Sequence, residues 1–181
     1  ELLRIQFAKL SAGDDPALIR VEELAADGPF PHIRMDRLEG RSLRQALEQQ
    51  SVPVSALIDL ARAMDRLSRL PAFGYHGDLK PENVILTADG VRLIDPGFVG
   101  DLPGPNGTHR RVMITTPAYT PYRVRRDLFS FGILAYELFT GSQQFWGEDP
   151  ATIVRAHLSV APTPPGKQLV VLPRDLDRWI L

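Results

Sequence analysis

The sequence predicts an α+β fold, and three observations carry that prediction. Two apolar runs flank Asp89-Gly90, a turn pair that specifies a tight β-hairpin. Leu57, Leu60, Ala61, Met64 and Leu67 recur at helical spacing, with Arg62, Asp65, Arg66 and Arg69 on the other side. Residues 127–141 are apolar nearly all round, which marks a buried helix.

In chain order, Leu3, Phe7 and Leu10 form the stripe of a first helix over 1–10, with no capping residue before Glu1. After the loop 11–16, residues 17–25 and 30–38 read as strands separated by Ala26-Asp27-Gly28-Pro29, together a hairpin on that helix. Residues 43–49 form a short helix, and Ser51-Val52-Pro53 starts the arginine-faced one. Those arginines read as a solvated face. Residues 98–116 contain Pro103-Gly104-Pro105-Asn106-Gly107, and so many breakers predict a mobile segment without regular structure. Asp127 is placed to cap the buried helix and Gly141 to stop it. A loop with Phe145 and Trp146, both expected in local core, leads to a helix over 151–158 begun by Asp149-Pro150. Residues 161–166 form a stiff connector, and a last helix opens after Leu172-Pro173 and stops mid-pattern at Leu181.

At 181 residues, 44% hydrophobic and 24% charged, the chain can form one domain with a sizeable core. Its 21 basic and 22 acidic residues give a net charge of −1, so no global field draws it to nucleic acid or an anionic membrane. The absence of cysteine excludes disulfides, thiolate metal sites and a cysteine nucleophile. No apolar run approaches the ~18 residues of a membrane span, and a cytoplasmic location is the expectation.

Chemistry concentrates in Tyr75-His76-Gly77-Asp78-Leu79-Lys80-Pro81-Glu82-Asn83 and, after the hairpin, Asp95-Pro96-Gly97. The hairpin would hold Asn83 and Asp95 near each other at one end. A carboxylate and an amide oxygen are hard ligands suited to Mg²⁺, which takes phosphate oxygens and water for the rest. His32, His109 and His157 form no spaced cluster of metal ligands.

The pattern His-x-Asp-Leu-x-x-x-Asn followed by Asp-x-Gly resembles the catalytic and metal-binding loops of protein kinases. Here Gly77 replaces the usual arginine and Pro96 the usual phenylalanine. Asp127, Ser130, Gly132, Glu137-Leu138 and Thr140-Gly141 are similar to the family's central large-lobe helix, in which the aspartate braces the catalytic loop. The tail is similar to bacterial serine/threonine kinases of the Hanks type.

The resemblance implies a kinase-like fold, mainly the helical large lobe over 36–181, with residues 1–35 as a remnant of the small lobe carrying its helix C and its fourth and fifth strands. Most of the small lobe and the end of the large lobe are expected to lie outside this stretch. The implied activity is transfer of the ATP γ-phosphoryl group to serine or threonine hydroxyls of a protein substrate, with no nucleic-acid partner. Asp78 would be the base, Lys80 would offset phosphoryl charge, and Asn83 and Asp95 would hold Mg²⁺. Met35 takes the gatekeeper position, Asp36 the hinge and Ser42 the ribose position, and Ile85 floors the adenine pocket. His76 would be packed scaffold, since a carboxylate already serves as base.

In the same terms, 98–116 would be the activation segment, with Thr108, Thr115, Thr116 and Thr120 as phosphosites, and Thr116-Pro117-Ala118-Tyr119-Thr120-Pro121 its closing part. Gly77 makes strict dependence on activation-segment phosphate unexpected, because the missing arginine usually pairs with it. The segment Tyr122-Arg123-Val124-Arg125-Arg126 is shorter than the family's. Its arginines read as a solvated helix lead-in.

The alternative is a catalytically inactive pseudokinase or kinase-fold interaction module, in which Pro96 and the short segment reflect lost activity. Retention of Asp78, Lys80, Asn83 and Asp95 together argues against it. A small-molecule phosphotransferase shares the loop style, but the 127–141 helix and the Thr-Pro-x-Tyr segment discriminate against it.

Overall fold

The computed structural model describes residues 1–71, 73–120 and 126–168. The readings for residues 122–125 and for the helix after Leu172 lie outside them. Helix α1 (Leu2–Ser11) forms as its stripe predicts, burying Leu10 and half-burying Leu3 and Phe7, with no side-chain cap at Glu1. The Asp15 carboxylate then fixes the following loop, accepting the Ala17 N–H at 2.8 Å and pairing with Arg66 at 2.8 Å.

Strands β1 (Val21–Ala25) and β2 (His32–Met35) pair antiparallel across a turn in which Gly28 takes φ +123°. The strand expected from residue 17 starts only at Val21, because residues 17–19 face another partner. Leu93 accepts the Ile19 N–H at 3.0 Å and donates its own N–H to the Ala17 carbonyl at 2.6 Å. This exchange stitches the amino-terminal unit onto the hairpin that carries the polar loop.

Strand β3 (Arg41–Ser42) leads into α2 (Leu43–Glu48) through a capping box. Ser42 Oγ accepts from the Gln45 N–H at 3.2 Å, and Gln45 Oε1 accepts from the Ser42 N–H at 2.9 Å. Helix α3 (Val54–Ser68) buries Ala56, Leu60, Ala63 and Leu67. Ala61, expected on the apolar stripe, is exposed: the i, i+4, i+7, i+11 row centred on Leu60 points inward, and Leu57 and Met64 only flank it.

A 3-10 turn (Pro81–Asn83) opens the predicted hairpin, β4 (Val84–Thr87) and β5 (Gly90–Leu93), in a sheet of order β3-β4-β5. The segment expected to lack regular structure forms a second hairpin, β6 (Phe98–Pro103) with β7 (His109–Ile114). Its breakers sit at the tip, where Asn106 and Gly107 adopt φ of 58° and 73° and the Gly104 N–H bonds the Thr108 carbonyl at 2.7 Å. Positive φ at the tip turns the chain and leaves Phe98 and Ile114 to pair at the open end.

Helix α4 (Arg126–Thr140) is buried along Phe131, Leu134, Ala135 and Tyr136, although Leu128 is exposed. Gly141 closes it at φ +71°, donating to the Glu137 carbonyl at 2.8 Å. Asp127 lies inside the first turn rather than capping it, and its carboxylate is used elsewhere. Helix α5 (Pro150–Ser159) starts at Asp149, which accepts the Thr152 N–H at 2.9 Å. The connector after it ends in a short helix, α6 (Pro165–Gln168). Phe145 packs with Tyr119 and Ile133, as expected of a core aromatic. Trp146 does not: it is 71% exposed, while its neighbour Phe145 fills the core position.

Candidate active site

The polar loop is held from beneath by α4. The Asp127 carboxylate accepts the His76 N–H at 2.6 Å and the Gly77 N–H at 2.8 Å, the bracing role that the sequence reading gives it. His76 is fully buried, its Nε2–H donating to the Ile94 carbonyl at 2.9 Å and its Nδ1 facing the Asp78 N–H at 3.4 Å. Burial pushes the imidazole below its ordinary value of 6.5, against an opposing pull from Asp127. A neutral, doubly bonded ring is scaffold.

Above it, Asp78, Lys80, Asn83 and Asp95 come together. Asp78 Oδ2 accepts from Asn83 Nδ2 at 3.2 Å and pairs with Lys80 Nζ at 3.3 Å. Asn83 Nδ2 also donates to the carbonyls of Asp78 at 2.9 Å and Asp95 at 3.3 Å. The hairpin thus does what its turn chemistry predicts, since the β4 and β5 ends are pinned by the Ile94 N–H on the Asn83 carbonyl at 3.1 Å. Asp95 takes φ +52° and is exposed.

With its NH₂ group committed to three oxygens, Asn83 has Oδ1 as the atom that could meet a hard cation. Among the described residues no cluster of three or more His, Asp or Glu could hold a metal alone. An amide and one carboxylate fit a hard cation that completes its shell with phosphate and water.

Ser42 and Ile85 are direct cross-strand partners in the β3–β4 register, so the ribose and adenine candidates are adjacent. The Ser42 hydroxyl serves as the α2 cap. Met35 ends β2, and the Asp36 N–H bonds the Arg20 carbonyl at 2.9 Å.

Three features went unread in the sequence. Thr116, expected as a phosphosite and as the start of the segment's closing part, is tied into the loop: its N–H donates to Asp78 Oδ1 at 2.6 Å and its Oγ1 accepts from Lys80 Nζ at 2.9 Å. From α1, Lys9 Nζ donates to the carbonyls of His76 at 3.0 Å and Gly97 at 3.2 Å. Behind the loop, Arg44 bonds Glu137 at 2.7 Å, Glu82 at 2.8 Å and the Tyr119 hydroxyl at 2.6 Å, while Tyr119 donates to the other Glu137 oxygen at 2.6 Å. A threonine two places before Ala118-Tyr119 was the available signal for the first; the other two join residues too distant in sequence for any local pattern.

The loops meet backbone on backbone. A Cβ at Gly97 would stand 2.6 Å from the Gly77 carbonyl oxygen and 3.0 Å from Asp78 Cβ. Gly97 therefore accepts no side chain without separating the two acids.

The model of the protein kinase domain matches residues 5–165. Similar proteins include the serine/threonine-protein kinase PknL of Mycobacterium tuberculosis, 32% identical over 167 residues, covering 86% of this chain and 42% of that protein. PkaA of Streptomyces coelicolor, also a serine/threonine-protein kinase, is 34% identical over 167 residues, covering 83% of this chain and 30% of its own length. PknB of Mycobacterium tuberculosis, another, is 29% identical over 196 residues, covering 98% of this chain and 31% of its own. The chain spans less than half the length of each of these relatives.

Proposed function

The chain belongs to the protein kinase family, alongside bacterial serine/threonine kinases, and from that premise we propose that it transfers the γ-phosphoryl group of ATP to serine or threonine hydroxyls of a protein substrate. The observation that carries this reading is the convergence of Lys80 and Asn83 on Asp78 Oδ2, with Asn83 also bonded to Asp95. In phosphoryl transfer the protein aligns nucleophile and leaving group and balances charge. Asp78 orients the acceptor hydroxyl and takes its proton. Lys80, held by Thr116, offsets charge on the transferring group. Asn83 Oδ1 and Asp95 would hold Mg²⁺, which when bound would neutralise phosphate charge. Met35, Asp36, Ser42 and Ile85 form the nucleotide side, and the boundary between the small-lobe and large-lobe residues of this chain falls at 35/36. A cytoplasmic location is part of this proposal; separately, among the described residues no helix is long and apolar enough to cross a membrane.

The inactive-pseudokinase reading draws on Pro96 and on the bond between the Thr116 N–H and Asp78 Oδ1, which occupies one oxygen of the base. Transfer assays on the full-length protein separate the two. Wild type labels protein hydroxyls with Mg-ATP, whereas Asp78→Ala binds the nucleotide and labels nothing. Persistent transfer by Asp78→Ala would remove that residue from the mechanism, and nucleotide binding without transfer by wild type would favour the pseudokinase.

A further inference from the structure

We propose that Lys9 is a positioning residue whose ammonium fastens the Asp78 loop to the Asp95 loop. The inference rests on the phosphoryl-transfer reading above. Lys9 Nζ donates to the carbonyl two residues before Asp78, that of His76 at 3.0 Å, and to the carbonyl two residues after Asp95, that of Gly97 at 3.2 Å. The same ammonium lies over the rings of Phe73 and Tyr75, 5.1 and 4.7 Å from their centroids. One turn earlier on the same helix face, Gln6 Nε2 reaches the Pro96 carbonyl at 3.4 Å. Side chains of α1 thus meet carbonyls on both loops.

An ammonium shared by two carbonyl dipoles makes charge-assisted bonds, and the two rings add cation–π attraction. Beside Lys9 the loops approach backbone to backbone at Gly77 and Gly97, and His76 and Asn83 add bonds to the carbonyls of Ile94 and Asp95. Asp127 grips the N–H groups of residues 76 and 77 from the α4 side. Lys9 is the counterpart on the carbonyl side, from α1. Displacing α1 withdraws the ammonium, and both acids lose a shared anchor while keeping their own local bonds.

The predicted signature is a loss of kcat with little change in nucleotide KM, because alignment suffers more than binding. In full-length protein with Mg-ATP and a mixed serine/threonine peptide pool, Lys9→Met lowers kcat about 10- to 100-fold and leaves KM for ATP within about threefold. Lys9→Arg recovers at least a third of wild-type kcat, since its guanidinium can donate to both carbonyls. An unchanged kcat in Lys9→Met, or equal losses in both variants, overturns the proposal.

A second readout does not need activity: amide hydrogen exchange in wild type and Lys9→Met, with α3 as internal reference. Faster exchange confined to residues 76–79 and 95–98 supports the fastening role. Unchanged exchange there, or acceleration that includes α3, overturns it. Absence of transfer by wild type, with loop exchange still sensitive to Lys9, refutes the phosphoryl-transfer reading while retaining the fastening of the loops.

Discussion

Asp127 reaches from the first turn of α4 to the backbone N–H of His76 at 2.6 Å, a bond across 51 positions that anchors the loop of the proposed base. Its second oxygen takes the Gly77 N–H. Asp127→Ala leaves both donors without that acceptor, and a part-buried N–H left unmet costs roughly 1–3 kcal/mol each. We expect a loss of about 2–4 kcal/mol in urea unfolding. Asp127→Asn should retain part of this, since the amide oxygen can still accept one N–H while its NH₂ opposes the other. Equal stability of the alanine variant and wild type would refute the anchoring role.

Arg44 and Glu137 form the second tie, between α2 and α4. Glu137 is 5% exposed and both its oxygens are used, by Arg44 and by the Tyr119 hydroxyl. Burial and then the Glu137 carboxylate raise the Tyr119 phenol well above its ordinary value, so the hydroxyl stays a donor. Removing one partner of a buried pair strands the other. Arg44→Met should therefore cost about 3–5 kcal/mol, and Arg44→Met/Glu137→Leu together much less than the sum of the singles. A thermodynamic cycle that closes additively would show that the pair is not coupled.

Two histidines make stability depend on mild acid. Burial depresses His76, and it also depresses His157, whose ring lies 4.5 Å from Phe145 and 5.2 Å from Phe129. A lowered folded value means that the unfolded chain binds more protons between that value and 6.5, so stability rises with pH across the window. The contribution is complete above 6.5 and is lost as pH falls below it. Asp15 and Asp149 are also lowered, Asp15 by Arg66 and Ala17 against its burial and Asp149 by Thr152, but their contributions vanish only near and below 3.8. Melting temperature should thus begin to fall as pH drops below 6.5, before carboxylates protonate. His157→Phe should flatten part of that slope; an unaltered slope would clear His157.

Legibility of the molecule followed the range of its interactions. The β4–β5 hairpin could be read because Asp89-Gly90 encodes its own turn, and the polar loop because its residue types and spacing are chemically constrained. The α5 start at Asp149 and the α4 stop at Gly141 are likewise local. The β6–β7 hairpin was hidden because proline and glycine mark a turn tip as readily as an unstructured segment; only the cross-strand pairing of Phe98 with Ile114 distinguishes them. Asp127 was legible as the loop's brace through the family pattern, while its local position in a first turn suggested a helix cap, a role that the two N–H donors of the loop displace. Thr116, Lys9 and Arg44 act across 36 to 93 positions, where no periodicity carries information.

The metal assignment can be tested through Asp95 alone. Asn83 is committed through its NH₂ to Asp78 and to the Asp95 carbonyl, so replacing it would disturb the loop as well as any cation. The Asp95 side chain is exposed, and the backbone carbonyl that Asn83 bonds survives substitution. Asp95→Ala does meet a backbone cost, because φ +52° suits aspartate better than alanine, on the order of 1 kcal/mol. Asp95→Asn keeps that conformation and removes only the negative charge, and is the cleaner variant. In full-length protein the magnesium-dependent part of nucleotide affinity should disappear in Asp95→Ala and fall at least tenfold in Asp95→Asn, while magnesium-free binding stays within about twofold. Calorimetric titration with ADP, with and without Mg²⁺, reads both quantities. An intact magnesium increment in both variants would move the cation away from Asp95 and leave the Asp78, Lys80 and Asn83 cluster without its proposed metal partner.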